Sequence, residues 1–331
     1  MSLLRFDATT QDWVIYAPER ARRPKAIESV QRHPETVLRC PFCPGNESLT
    51  PPDMLRLPDT ASGKWDVRVI PNKFALLQNH NGRENAGIGL FGEKAGHGAH
   101  EVLIESPDHE GSMGMLSERH IETILAAILR RYQVLREDPA IRAILVFKNH
   151  GEAAGTSIRH PHWQIVATPV VPRMHRHRHM IAQEYFDRTD HCLYCDLLEA
   201  ELREGSRLIA RNESFCAVAP YASHVAYQIR ILPARHSASF ENLTDEEMPR
   251  LAAILKEILF KLHMALGDPP FNLTLSTAPR GDENKPYFLW HMDILPRLST
   301  PAGFELGSGM PVNTIMPEDA AARLRSIPRP E

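Results

Sequence analysis

The sequence predicts an α+β protein built from two related halves, each a mostly antiparallel sheet carrying one long helix. Three observations predict it. Each half opens near a C-x-x-C pair, Cys40–Cys43 in the first and Cys192–Cys195 in the second. Each then alternates strand-like and helical segments in the same order. Each helix starts eight residues after a histidine that ends a strand, His109 and His236. A repeat of this kind decides the architecture before any single element does.

In the first half VRVIPNKFALL (67–77) and EVLIESPDH (101–109) read as strands. The helix from Ser117 carries Ile121, Ile124, Leu125, Ile128, Tyr132 and Leu135 at helical spacing. IRAILVFKN (141–149) and HPHWQIVATP (160–169) follow as strands. In the second half the matching segments are RLIARNESFCAVAP (207–220) and YQIRILPARH (227–236). A helix then opens with Thr244 and Glu247, a capping-box pattern, and carries Leu251, Leu255, Ile258 and Leu262. FNLTLSTAP (271–279) and YFLWHMDILP (287–296) close the repeat. The division falls between residues 1–175 and 176–331, inside a basic stretch opening RMHRHRHM that reads as a solvated connector.

Composition narrows the class. The chain has 331 residues, 43% hydrophobic and 24% charged, enough for a substantial core. A net charge of −3 gives no basic field for nucleic acid. No apolar run reaches the roughly 18–20 residues that span a bilayer. The N-terminal stretch lacks the apolar region of a secretory signal. A cytoplasmic protein is expected, and in a reducing compartment paired cysteines are metal ligands rather than disulfides.

Zinc takes four tetrahedral sulfur and nitrogen ligands, and C-x-x-C supplies two on one turn. His97, His100, His109 and His160 are candidates for the remainder in the first half. The repeat selects among them, matching His109 to His236 and His160 to His291. Two Zn²⁺ sites are therefore expected: Cys40, Cys43, His109 and His160, and Cys192, Cys195, His236 and His291. Both would be closed and structural.

The densest chemistry is G-T-S-I-R-H-P-H-W-Q, residues 155–164. On a strand His160, His162 and Gln164 share a face. A metal-held His160 pins His162, and a pinned neutral imidazole suits attack on phosphorus. Gln164 can donate an amide hydrogen bond as charge builds on a phosphoryl oxygen. Gly155 and Ser157 bring backbone and hydroxyl donors nearby, and Asn149 ends the preceding strand. With His291 matched to His160, Asp293 and Leu295 fall opposite His162 and Gln164. The second half then keeps a metal site and lacks the nucleophile.

At these residues the chain resembles the galactose-1-phosphate uridylyltransferase family of the histidine-triad superfamily. H-P-H-W-Q is similar to the family's H-P-H-x-Q, and C-P-F-C-P-G-N-E, R-V-I-P-N-K-F, I-E-S-P-D-H and F-K-N-H-G-E-A-A-G-T-S occur in family order. A-G-F-E-L-G-S-G (302–309) and P-E-D-A-A (317–321) extend the likeness to the C-terminus. The resemblance implies two histidine-triad-like halves, a zinc-ligand role for His160, a nucleophilic His162 and a phosphate contact by Gln164. It implies that Arg68, Asn72 and Lys73 lie by the nucleotide. It also implies a homodimer acting on a nucleotide sugar and a sugar 1-phosphate by a ping-pong reaction. The leading expectation is a UDP-glucose:hexose-1-phosphate uridylyltransferase of galactose metabolism. Trp163 departs from the glycine of the family's uridylyltransferases, and the duplicated cysteine pair with His236 and His291, together with the G-F-E-L-G-S-G ending, resembles instead the ADP-glucose phosphorylase branch, making an ADP-sugar phosphorylase or adenylyltransferase the alternative. A zinc-stabilised nucleotide-binding module without turnover is the reading from another class.

Overall fold

The computed structural model describes residues 2–22, 40–58, 64–79, 87–88 and 90–330. In the first half run β1 (Leu3–Asp7), β2 (Asp12–Tyr16), β3 (Leu55–Leu57), β4 (Val67–Pro71), β5 (Gly87–Ile88), β6 (Phe91–Gly92) and β7 (Ala99–Ile104). Helix α1 (Glu118–Arg136), β8 (Ala143–His150) and β9 (His162–Thr168) complete it. The second half comprises α2 (Arg173–Thr189), α3 (Leu193–Glu204), β10 (Leu208–Arg211), β11 (Phe215–Val218), β12 (Ile229–Pro233) and α4 (Glu247–Leu266). It ends with β13 (Phe271–Ser276), β14 (His291–Pro296), α5 (Gly303–Ser308), β15 (Val312–Asn313) and α6 (Pro317–Arg325).

Ten strands form one antiparallel sheet in the order β10-β11-β12-β14-β13-β8-β9-β7-β4-β3. The order is the same in both halves when read outward from the β13–β8 pair: β8-β9-β7-β4-β3 one way and β13-β14-β12-β11-β10 the other. The α+β class with two related halves is thus the observed one. The halves are joined by strand pairing, with Phe271 opposite His150 and Leu275 opposite Val146.

The sheet face that carries α1 and α4 holds the main core. Ser117 caps α1 by accepting the His120 N–H, and Thr244 and Glu247 exchange reciprocal hydrogen bonds ahead of α4. From α1, Ile121, Ile124, Leu125, Ile128 and Tyr132 meet Leu251, Leu255, Ile258 and Leu262 of α4 over Trp163, Ile165, Trp290, Met292 and Ile294. Each such aliphatic side chain contributes about 1.5–3 kcal/mol by leaving water. The opposite face carries two smaller apolar clusters, one around Cys40 and Cys43 and the other around Cys192 and Tyr194. The residues expected to react, His162 and Gln164, lie on that face. A three-stranded sheet, β1-β2-β15, ties the N-terminal strands to the C-terminal segment.

The basic stretch expected to be a connector is helix α2. Its His179, Ile181 and Ala182 are buried. His179 stacks on Phe288 with ring centroids 3.8 Å apart, and Arg178 donates to Ser276 Oγ at 3.1 Å. Positions 178 and 181–182 are one turn apart, so a helix turns them inward together while Arg173, Arg176 and Arg188 stay in water. No helix among the described residues is long and apolar enough to cross a membrane.

Candidate active site and metal centres

Cys40, Cys43, His109 and His160 converge, their ligand atoms all within 4.8 Å of one another and every residue buried. The His160 Nδ1 lies 3.7 Å from Cys40 Sγ and 3.5 Å from Cys43 Sγ, and His109 Nδ1 lies 3.3 Å from Cys43 Sγ. A tetrahedron with Zn–S of about 2.3 Å and Zn–N of about 2.0–2.1 Å has edges of about 3.3–3.8 Å. The donor set and its spacing therefore fit such an ion, bound through Nδ1 of both imidazoles. His160 Nε2 donates to the Ser106 carbonyl at 2.7 Å, which fixes the tautomer that leaves Nδ1 as the ligand atom.

Cys192, Cys195 and His236 form the second cluster, with Cys195 Sγ 3.3 Å from His236 Nδ1. It is more open, since His236 is exposed and Cys195 partly so. The Cys192 thiol is held below its usual range, first by the hydrogen bond from Cys195 and then by His236, against the opposing effect of burial, while the Cys195 thiol is raised by the same contact. A low thiol pKa suits a metal ligand.

His291, expected as the fourth ligand, does not join this cluster. Its ring stacks on Tyr194, with centroids 4.9 Å apart, and its Nδ1 donates to the Leu289 carbonyl two residues earlier at 3.0 Å. His162 makes the same bond, Nδ1 to the His160 carbonyl at 2.9 Å, and both histidines begin their strands. His291 is thus the counterpart of His162 rather than of His160. Leu289 sits in one apolar cluster with Cys192, and Asp293 takes the place of Gln164. The second imidazole is sealed: its Nε2 is buried without a hydrogen-bond partner, 3.7 Å from Asp293 Oδ2, and Asp293 is itself held by Arg230 at 2.8 Å.

His162, Gln164 and Asn149 share the face opposite α1. Trp163 pairs with Lys148, which puts Asn149 beside His162, and Trp163 itself is buried in the helix-side core. Because Nδ1–H is spent on the His160 carbonyl, the lone pair of His162 is on Nε2. Phe42, between the cysteines, stands edge-on to the ring at 5.4 Å. Burial is the main cause that pushes the His162 pKa down to about 4, and Lys148 adds to it. Burial thus favours the neutral imidazole, the form able to attack an electrophile. On the other face Lys148 Nζ donates to Glu105 Oε2 at 2.8 Å, both side chains 1% exposed.

The loop 151–161 lies between β8 and β9. Gly151 adopts φ +79°, and a Cβ there would stand 2.8 Å from Pro270 Cβ, so only glycine lets the chain turn this close. Gly155 is also left-handed, at φ +88°, and Ser157 is exposed. Asn272 anchors the loop: its Nδ2 donates to Asn149 Oδ1 at 2.9 Å and to the Ala154 carbonyl at 2.8 Å. Sequence reasoning missed Asn272 because its partner lies across the seam between halves. Arg68 is 1% exposed; its Nε and Nη2 bind Asp53 Oδ1 at 2.9 and 2.6 Å, and Nη1 is buried without a partner. Asn72 touches His100, and Lys73 is exposed. His100, a candidate ligand by sequence, is outside both clusters and bonds Gln164.

Family models described as Galactose-1-phosphate uridyl transferase, N-terminal domain and C-terminal domain match residues 1–172 and 178–330. An ADP-glucose phosphorylase of Arabidopsis thaliana is 34% identical over 98% of this chain and 92% of its own. A galactose-1-phosphate uridylyltransferase of Thermotoga maritima is 26% identical over 98% of each chain. The crystal structure of the Arabidopsis enzyme with bound ADP-glucose superposes with a TM-score of 0.85 at 33% identity, covering 99% of both chains. The identities thus favour the adenylyl alternative over the uridylyl expectation. With both domain models matched across nearly its whole length, the chain belongs to the galactose-1-phosphate uridylyltransferase family and is a nucleotidyltransferase.

Proposed function

We propose that the protein transfers an adenylyl group from an ADP-sugar such as ADP-glucose to phosphate, or to a phosphorylated acceptor, through a covalent intermediate on His162. The observation that carries the reading is the state of that ring: neutral, buried, tied at Nδ1 and free at Nε2. Nε2 attacks the α-phosphorus, the bond to the bridging oxygen breaks, and sugar 1-phosphate leaves with that electron pair. An acceptor phosphate oxygen then attacks the same phosphorus and breaks the N–P bond. With phosphate as acceptor the product is ADP. Gln164 and Asn149 donate to the phosphoryl oxygens, Gly155 and Ser157 line their approach, and Arg68, Asn72 and Lys73 take the nucleoside side.

The chemistry of the donor sets, two thiolates with imidazole, supports Zn²⁺ at both clusters. When bound, the ion at Cys40, Cys43, His109 and His160 stabilises the fold beside the nucleophile. The second half, residues 176–331, acts as a scaffold with its own metal site. Four of the five cysteines lie in the two clusters as thiols rather than in disulfides. That use of cysteine suits a reducing, cytoplasmic setting, and a homodimer goes with the family.

A uridylyltransferase is the second reading, favoured by the description of the matching family models. Intact-mass measurement after mixing with ADP-glucose and, separately, UDP-glucose separates the two. The expected result is an AMP adduct that His162→Gly abolishes while bound zinc persists. A UMP adduct alone selects the second reading, and no adduct with either donor defeats both.

A further inference from the structure

His100 lies on β7, opposite Val166, on the face that carries Gln164 and His162. It is buried, 7% exposed, and belongs to neither metal cluster. Three groups surround its ring. The Leu76 N–H donates to Nδ1 at 3.2 Å, Gln164 Oε1 lies 2.8 Å from Nε2, and Asn72 Nδ2 lies 3.1 Å from the same Nε2. The Asn72 amide is itself oriented, because its Oδ1 accepts the Phe74 N–H at 2.8 Å.

These contacts settle the proton. A neutral imidazole has one donor and one acceptor nitrogen. With Nδ1 accepting from Leu76, the hydrogen is on Nε2 and is donated to Gln164 Oε1. The Gln164 carbonyl is thereby occupied, and its NH₂ is turned away from His100. Asn72 Nδ2, 3.1 Å from the same Nε2, then meets a second donor and makes no hydrogen bond to the ring.

We infer that His100 is a positioning residue: its Nε2–H fixes the Gln164 side-chain amide so that the NH₂, and not the carbonyl, is presented beside His162. An amide free to rotate would present its oxygen part of the time, and an oxygen next to a phosphoryl group that is gaining negative charge repels it. Burial lowers the His100 pKa, which keeps the ring neutral at pH 7 and the arrangement intact. The inference rests on the proposed role of Gln164 in nucleotide transfer.

A double-mutant cycle on the full-length protein tests it, using His100→Leu, Gln164→Ala and the pair, with His100→Gln as the conservative variant. The readout is the single-turnover rate of His162 nucleotidylation by ADP-glucose, with donor affinity, zinc content and melting temperature measured alongside. His100→Leu is expected to slow the step about tenfold at saturating donor, with zinc content unchanged. In the Gln164→Ala background it should add nothing further. His100→Gln, whose amide reaches the Gln164 carbonyl, should recover most of the rate. Multiplying losses in the double variant, or a His100→Gln protein as slow as His100→Leu, overturns the inference while leaving the role of Gln164 intact. A Gln164→Ala protein as fast as the parent overturns both. If His100→Leu melts out, the Gln variant alone and in the Gln164→Ala background decides the same question.

Discussion

Replacing Lys148 by Met isolates the buried ion pair beneath the strand that carries His162. The Lys148 ammonium and the Glu105 carboxylate are 2.8 Å apart and each 1% exposed, and Glu105 Oε1 has no hydrogen-bond partner. Removing the lysine therefore leaves a buried carboxylate without its cation. Breaking a buried pair from one side costs about 3–5 kcal/mol, against a total stability of about 5–15 kcal/mol for an ordinary protein. At roughly 2–4 °C per kcal/mol for domains of about 150–250 residues, and less for a chain of 331, the melting midpoint should fall by several degrees. Met fills the space of the lysine stem, so lost packing is a minor part. The double variant Lys148→Met/Glu105→Leu removes the stranded charge and should recover most of the loss. Urea unfolding at pH 7.5 measures all four corners of the cycle. A Lys148→Met loss below about 1 kcal/mol, or a double variant no better than the single, would show that the pair is not energetically buried.

Three further outcomes are expected. A chelator should remove zinc in two phases, first from the more open Cys192–Cys195–His236 trio and later from the buried quartet; Cys192→Ser should abolish the fast phase while His162 still takes the nucleotide, and a single phase for both sites would contradict the ordering. Asn272→Ala, which releases the loop from Asn149 and Ala154, should slow nucleotidylation about tenfold by misplacing the loop, with zinc content unchanged; rapid-quench kinetics reads this, and an unaltered rate would remove Asn272 from the site. His179, held by burial at about 4, binds a proton more readily in the unfolded chain, where histidine titrates near 6.5. Its stabilisation is complete above about pH 6.5 and is lost as pH falls towards 4, at up to about 1.4 kcal/mol per pH unit. His179→Leu should flatten that slope in urea titrations between pH 7 and 5, and an unchanged slope would assign the acid sensitivity elsewhere.

The architecture was legible because a duplicated C-x-x-C and two helical periodicities are written locally. Ser117 caps one helix and Thr244 with Glu247 the other, as their spacing requires. The first metal quartet and the shared face of His162 and Gln164 were legible for the same reason. What failed at His291 was register. A slip of two residues leaves every side chain on its original face, so alternation cannot tell Leu289-Trp290-His291 from His160-Pro161-His162. Only the Nδ1-to-carbonyl bonds distinguish them. His100 and Asn272 were hidden because their partners, Gln164 and the residues 149–154, depend on strand pairing that no local pattern encodes. Helix α2 was missed because its buried side is largely histidine and alanine, which carry little apolar signal.

The union of β8 with β13 has a consequence for how such a chain can evolve. Were the second half deleted, the first would be left with a naked row of amide and carbonyl groups along β8, an invitation to aggregate. The loop that follows β8 would lose its Asn272 tether in the same stroke. A second half that took no part in the chemistry would still serve as a splint, through the stretch of β13 from Phe271 to Leu275 that pairs with β8.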